Sequence, residues 1–173
     1  MFPSYFTGHT GVREWRQTRS YILQFRLKFL SMRMTSEKKQ MFLEAFRQLP
    51  QRILWKYEDD TLKNIPENVL VRKWFPQTDI LGNNKTILFM THNGNLGTHE
   101  SIYFGVPMLG FPICIDQFAN NAKIVRSGLG LKTSIERNQK LRTNHTQITT
   151  ITSNPRFVNC DTCTAVEFPE SRY

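Results

Sequence analysis

Apolar positions along the 173-residue chain change their period several times, and each change marks an element. Between residues 36 and 49, Lys38, Phe42, Ala45, Phe46 and Leu49 fall at helical spacing and define an apolar stripe. Ser36 is a good N-cap, Glu37 suits the positive helix end, and Pro50 stops the run, so a helix is predicted over 36–47. Arg52-Ile53-Leu54-Trp55-Lys56 reads as a strand, with Trp55 assigned to the core rather than to a ligand. A polar loop with Pro66 leads to a second strand, Val69-Leu70-Val71-Arg72, which delivers Trp74 and Gln77 at its carboxyl end. Ile87-Leu88-Phe89-Met90 is a buried strand that empties into Thr91-His92-Asn93-Gly94, with helix-compatible sequence over 96–104. A further apolar run over 107–112 leads to Asp116 and Gln117, and a helix follows over 117–126 that Asp116 could cap, a role compatible with sugar binding. Residues 1–30 mix aromatics and arginines without either period, and 137–153 are rich in Thr, Asn and Gln.

Strand, glycine-containing polar turn, helix and strand in that order form a βαβ unit, and in open parallel sheets ligands gather beyond the carboxyl ends of strands. A helix N-terminus offers free N–H groups and the positive end of its macrodipole, which favours phosphate. Gly94 and Gly97 let backbone approach an anion, and His92 can donate or carry charge beside it. Glu100, one turn along, can accept from ribose hydroxyls, while Asp116 and Gln117 suit sugar hydroxyls. Trp74 beside Pro76 presents a flat wall on a stiff backbone for a base. Each feature alone has a bland alternative. Trp74 could simply pack, His92 could be hydrogen-bonded structure, Glu100 could be a solvated helix residue, and Asp116 could only cap. His99 is read as surface.

Taken together, W-x-P-Q from Trp74, T-H-x-G from Thr91, E-x-I-Y-x-G-V-P-M-L-G-x-P from Glu100 and D-Q at Asp116 resemble the UDP-glycosyltransferase signature. The animal UDP-glucuronosyltransferase branch is the nearest in wording, and the resemblance runs from about Ser31 to Glu136, with a faint echo at 154–157. It implies an α/β fold: a Rossmann-like parallel sheet with flanking helices, the C-terminal, donor-binding half of a GT-B glycosyltransferase. It implies that Trp74 stacks on uracil and Gln77 meets the uridine, that His92 with Gly94 and Gly97 holds the diphosphate, that Glu100 contacts ribose, and that Asp116 and Gln117 meet the transferred sugar. Lys56 and Asn95 carry less weight; Lys56 stands where the family often has an arginine near the nucleotide. The donor would be UDP-glucose or UDP-glucuronate, with no cofactor, and a small lipophilic acceptor would enter only with an N-terminal domain. That domain supplies the family's general-base histidine and its aspartate, so no catalytic residue is assigned here and the chain by itself is expected not to turn over. The sequence departs from the family at Asn93, where a glycine is usual, and at Leu96, where many members have Asn. Asn tolerates left-handed backbone well, so the turn can survive.

The expected organisation is a divergent basic segment over 1–30, a UDP-sugar-binding domain over 31–136 and a poorly ordered tail over 137–173. The family's first strand and its Gly-Ser turn are not recognised in residues 1–30. A reading frame displaced before Ser31 is one explanation, and a basic membrane-surface segment is the functional alternative. Net charge is +9 with pI about 9.7, but no nucleic-acid-binding signature accompanies the arginines, so no nucleic acid is expected. Cys114, Cys160 and Cys163 make no disulfide framework, and Cys160-x-x-Cys163 lacks two further ligands, so no metal site is assigned. Family members reside at the endoplasmic reticulum membrane behind a signal peptide. No signal peptide and no membrane span is visible here. Asn84-Lys85-Thr86 and Asn144-His145-Thr146 are glycosylation sequons of a kind that arises often by chance. The alternatives to a transferase half are a non-catalytic partner of full-length family members and a non-functional fragment that at most binds UDP.

Overall fold

The computed structural model describes residues 20–23 (backbone), 35–58 and 62–133, and the statements below concern those residues. In chain order the elements are β1 (Ser20–Leu23), α1 (Ser36–Arg47), β2 (Arg52–Lys56), β3 (Val69–Arg72), α2 (Gln77–Leu81), β4 (Thr86–Thr91), α3 (Asn95–Tyr103), β5 (Met108–Gly110), α4 (Ile115–Arg126) and β6 (Gly130–Lys132). All strand pairings are parallel, in the order β3-β2-β1-β4-β5-β6. The order reverses between β1 and β4. At such a reversal the connections leave in opposite directions and open a crevice at the carboxyl ends.

Alternation along the strands fills two cores, one on each side of the sheet. Ile53 and Trp55 of β2, Leu88 and Met90 of β4 and Leu109 of β5 meet Phe42, Leu43 and Phe46 of α1 on one side. There Trp55 receives the edge of Phe46 at a centroid distance of 5.4 Å, and Phe42 packs on Phe111 at 5.9 Å. Leu54 of β2, Phe89 of β4 and Met108 of β5 face Leu81 of α2 and Ile124 of α4 on the other. Each fully buried side chain of this size contributes about 1.5–3 kcal/mol. Both faces are therefore covered by helices, the Rossmann-like parallel arrangement expected of the sequence. Trp55 is core. The Asn68 amide holds the α1–β2 corner by donating to the carbonyls of Phe46, Leu49 and Gln51 at 2.8–3.1 Å.

Three readings change. The N-cap of α1 is Thr35, whose hydroxyl accepts from Lys38 N–H at 3.4 Å, and Ser36 is the first helical residue. The N-cap of α4 is Cys114, so Asp116 lies inside the first turn and does not cap. The strand β1 sits between β2 and β4 although nothing periodic marks it. A four-residue run has no room for a period, and a central parallel strand does not alternate. The segment after β1, residues 59–61, the tail from residue 134, the Cys160/Cys163 pair and the Asn144 sequon lie outside the described residues.

Candidate functional site

Every residue singled out for ligand contact follows the carboxyl end of a strand. Lys56 ends β2, Trp74 and Gln77 follow β3, the stretch from His92 to Glu100 follows β4, and Asp116 and Gln117 follow β5. The parallel order puts all four of these strand ends on one rim.

Four of the residues line one cleft. It has a volume of about 410 Å³ and is walled by Lys56, Trp74, Phe75, Pro76, Gln77, Thr78, Asp79 and Glu100, a size that accepts a small organic ligand. Trp74 is 69% exposed while the next residue, Phe75, is buried. An indole left open beside a buried neighbour costs apolar exposure, which stacking of a flat ligand would recover. In the same cleft the Gln77 amide donates to one Glu100 carboxylate oxygen, and the Thr78 hydroxyl lies 3.5 Å from the other. This joins the start of α2 to α3 and fixes the carboxylate at the cleft. Lys56 supplies the cation, 3.8 Å from Glu58.

The turn after β4 is built differently. Asn93 is fully buried and left-handed, with φ of 61°, as expected for an asparagine in a place that favours glycine. Its N–H donates to the Thr91 hydroxyl at 3.2 Å and its carbonyl accepts from the Asn120 amide at 3.1 Å. Gly94 is the N-cap of α3 and brings no side-chain cap to the free N–H groups behind it, which leaves them for an acceptor from outside. The Gly94 backbone is not left-handed. A Cβ there would stand 2.5 Å from the His92 Nε2, so the imidazole lies directly over the helix start and any side chain at 94 would push it aside. Asn95 and Leu96 are exposed. A Cβ at Gly97 would meet the Gln77 amide at 3.4 Å and the Phe89 ring at 3.5 Å, so that position faces inward.

After β5, Gln117 is spoken for on one side. Its amide oxygen accepts from the N–H groups of Ile113 and Cys114 at 2.8 and 3.1 Å. The pose fixes the side chain and leaves its NH₂ as the donor. Asp116 is exposed at the same helix start. Thus Trp74, Gln77, Glu100 and Lys56 converge on the cleft, while His92, Gly94, Asp116 and Gln117 stand on neighbouring turns and do not line it. Thr78, Asn120, Asn121 and Gly110 went unnoticed in the sequence. Thr78 follows Gln77 directly, but nothing local marks the other three. No helix among the described residues is long and apolar enough to cross a membrane.

Comparison with known proteins adds the following. The family described as UDP-glucoronosyl and UDP-glucosyl transferase matches residues 12–149. UDP-glucosyltransferase 2 of Dactylopius coccus is 47% identical over 92 residues, which is 53% of this chain and 18% of that protein. UDP-glucuronosyltransferase 2B17 of Mus musculus is 39% identical over 114 residues, 66% of this chain and 22% of that protein. The chain thus spans about a fifth of the length of these relatives. Among solved structures, a transferase from Siraitia grosvenorii in complex with UDP superposes with a TM-score of 0.70 at 20% identity, over 84% of this chain and 40% of that one. At that identity the likeness is one of fold, and the fold is that of GT-B glycosyltransferases.

Proposed function

This chain belongs to the UDP-glycosyltransferase family, and from that premise we propose that its rim binds a UDP-linked hexose as the donor half of a glycosyl transfer. In this reading Trp74 stacks on uracil, Gln77 reads the uridine, Glu100 accepts from ribose hydroxyls and Lys56 stands near the nucleotide. His92, the free N–H groups behind Gly94 and Asn95, and the backbone at Gly97 take the diphosphate. Asp116 and the NH₂ of Gln117 take the hexose, glucose or glucuronate. In the transfer itself, an acceptor hydroxyl oxygen bonds to the anomeric carbon, the bond from that carbon to the diphosphate oxygen breaks, and UDP leaves. The acceptor proton goes to a base outside this rim. The whole protein would then act on small lipophilic acceptors at the endoplasmic reticulum membrane, with its base on a second domain.

The observation that carries this reading is the open indole of Trp74 lining one cleft together with the hydrogen-bonded Gln77–Glu100 pair. An exposed aromatic plane and a fixed carboxylate in one cleft have the chemistry of a nucleoside site. The test is calorimetry of the purified chain with UDP, UDP-glucose, UDP-glucuronate and uridine. Saturable one-to-one binding of UDP, stronger than that of uridine, is the expected result. A folded chain that gives no saturable heat with UDP overturns the reading. Binding without turnover is expected of these 173 residues. UDP-sugar-dependent glycosylation of a phenol by the purified chain would show that a base is present after all.

Leu96 and Tyr103, each 72% exposed and seven residues apart on α3, favour a second reading as a binding partner of full-length family members. Co-purification with such an enzyme, abolished by charged residues at both positions, is its test.

A further inference from the structure

Outside the cleft, two carboxamides meet in a buried place. Asn93 in the turn after β4 and Asn121 in the middle of α4 are each fully buried, and neither side chain makes a hydrogen bond among the described residues. Both amides lie over Gly110, the last residue of β5. A Cβ added to Gly110 would stand 1.9 Å from the Asn121 Nδ2 and 2.2 Å from the Asn93 Nδ2. The two groups therefore fill one small volume that exists only because residue 110 lacks a side chain. Gly110 comes there because it pairs with Thr91, two residues before Asn93.

Buried polar groups are almost always satisfied, and a lone buried amide is costly. Oxygen and nitrogen of a carboxamide occupy the same shape. A half-turn of one terminal amide thus converts facing nitrogens into a donor and an acceptor without moving another atom. We infer that Asn93 and Asn121 form a buried amide–amide pair, and that this pair is a positioning device for the ligand rim. It ties the turn bearing His92 and Gly94 to the helix whose first turn bears Asp116 and Gln117. Asn120, donating to the Asn93 carbonyl at 3.1 Å, is the second strap of the same tie. With two contacts from adjacent positions of α4, the left-handed residue cannot rotate, and the diphosphate and hexose groups keep their spacing. Asn93 and Asn121 are positioning residues here, since neither reaches the rim itself.

The ligand part of this inference rests on the proposed UDP-hexose reading, but the pair itself does not. Two measurements separate them. Without ligand, Asn121→Ala, Asn93→Gly and the double variant are unfolded in urea; Gly at 93 keeps the positive φ available. A direct pair makes the double variant clearly more stable than the sum of the single losses allows, because removing both amides leaves no orphan. In ¹⁵N-labelled chain the two side-chain NH₂ groups should exchange with solvent far more slowly than those of exposed asparagines. Additive losses, or rapid exchange at both amides, overturn the pair. With ligand, Asn121→Ala should weaken UDP-glucose about tenfold while uridine changes less than twofold, since uridine is read by the cleft. An equal loss for both ligands overturns the positioning role. If wild-type chain binds neither, the functional reading has failed and the urea cycle still decides the pair.

Discussion

The cleft beside Trp74 and the turn after β4 sit on the same rim and are made of opposite materials. The cleft is a side-chain site: an exposed indole, an amide, a carboxylate and a lysine on rigid strand and helix ends. The turn is a backbone site, held by a buried left-handed asparagine and by glycines whose missing Cβ atoms leave room for neighbours. Binding chemistry that projects from a scaffold can be removed without harming the fold. Binding chemistry that consists of backbone cannot be separated from the packing that shapes it.

The strongest way to break that distinction is at Gly110. A valine there drives its side chain into Asn121 and Asn93, and overpacking of a closed site costs about 3 kcal/mol. Urea unfolding of Gly110→Val should show that loss, and UDP binding should disappear with it although residue 110 lies outside the cleft. Wild-type stability in this variant would mean that the turn is soft.

Trp74→Ala probes the other side. Stacking of a base on an aromatic ring is worth about 1–3 kcal/mol, so UDP affinity should fall by roughly 10–100-fold. Because the indole is 69% exposed, the unfolding free energy should stay within about 0.5 kcal/mol of wild type. Loss of both together would put Trp74 in the core and merge the two regions. Glu100→Gln sharpens the same side. A hydrogen bond to a charged group contributes about 1.5–3 kcal/mol, so uridine affinity should drop about tenfold while 2′-deoxyuridine changes less. Equal losses for the two nucleosides would remove Glu100 from the ribose.

Much of the cleft was legible because its signals are local. Arg52–Lys56 and Val69–Arg72 appear with the predicted bounds, since a short apolar run flanked by proline-containing or polar loops suffices to place a strand. Trp74, Gln77 and Glu100 could be named from motif wording, and the structure brings them together. The turn was legible only in part. The left-handed φ at Asn93 follows from what asparagine tolerates. The closeness of Asn121 and Gly110 to it does not, because the β4–β5 register creates that contact and no run of neighbouring residues encodes a register. The same reason hid β1, whose place in the sheet is fixed by partners far along the chain.

The smallest expected effect lies at Gly97, and it is the most discriminating. Two glycines in this stretch were assigned one task, close approach to an anion, yet their surroundings differ. A methyl at Gly94 must displace the His92 imidazole, whose Nε2 would be 2.5 Å away. A methyl at Gly97 meets the Gln77 amide and the Phe89 ring at 3.4–3.6 Å, ordinary contact distances that require no movement. Alanine is also the better helix former by up to about 1 kcal/mol, and Gly97 lies within α3. Gly97→Ala should therefore leave the chain as stable as wild type or about 0.5 kcal/mol more so, with UDP affinity changed less than about threefold by the slight pressure on Gln77. Gly94→Ala should lose UDP binding at nearly unchanged cleft geometry, seen as retained affinity for uridine. If instead Gly97→Ala stays folded and loses UDP by more than tenfold, the diphosphate needs the open Cα face of Gly97 and not only its backbone N–H. The division of labour between the two glycines would then have to be redrawn.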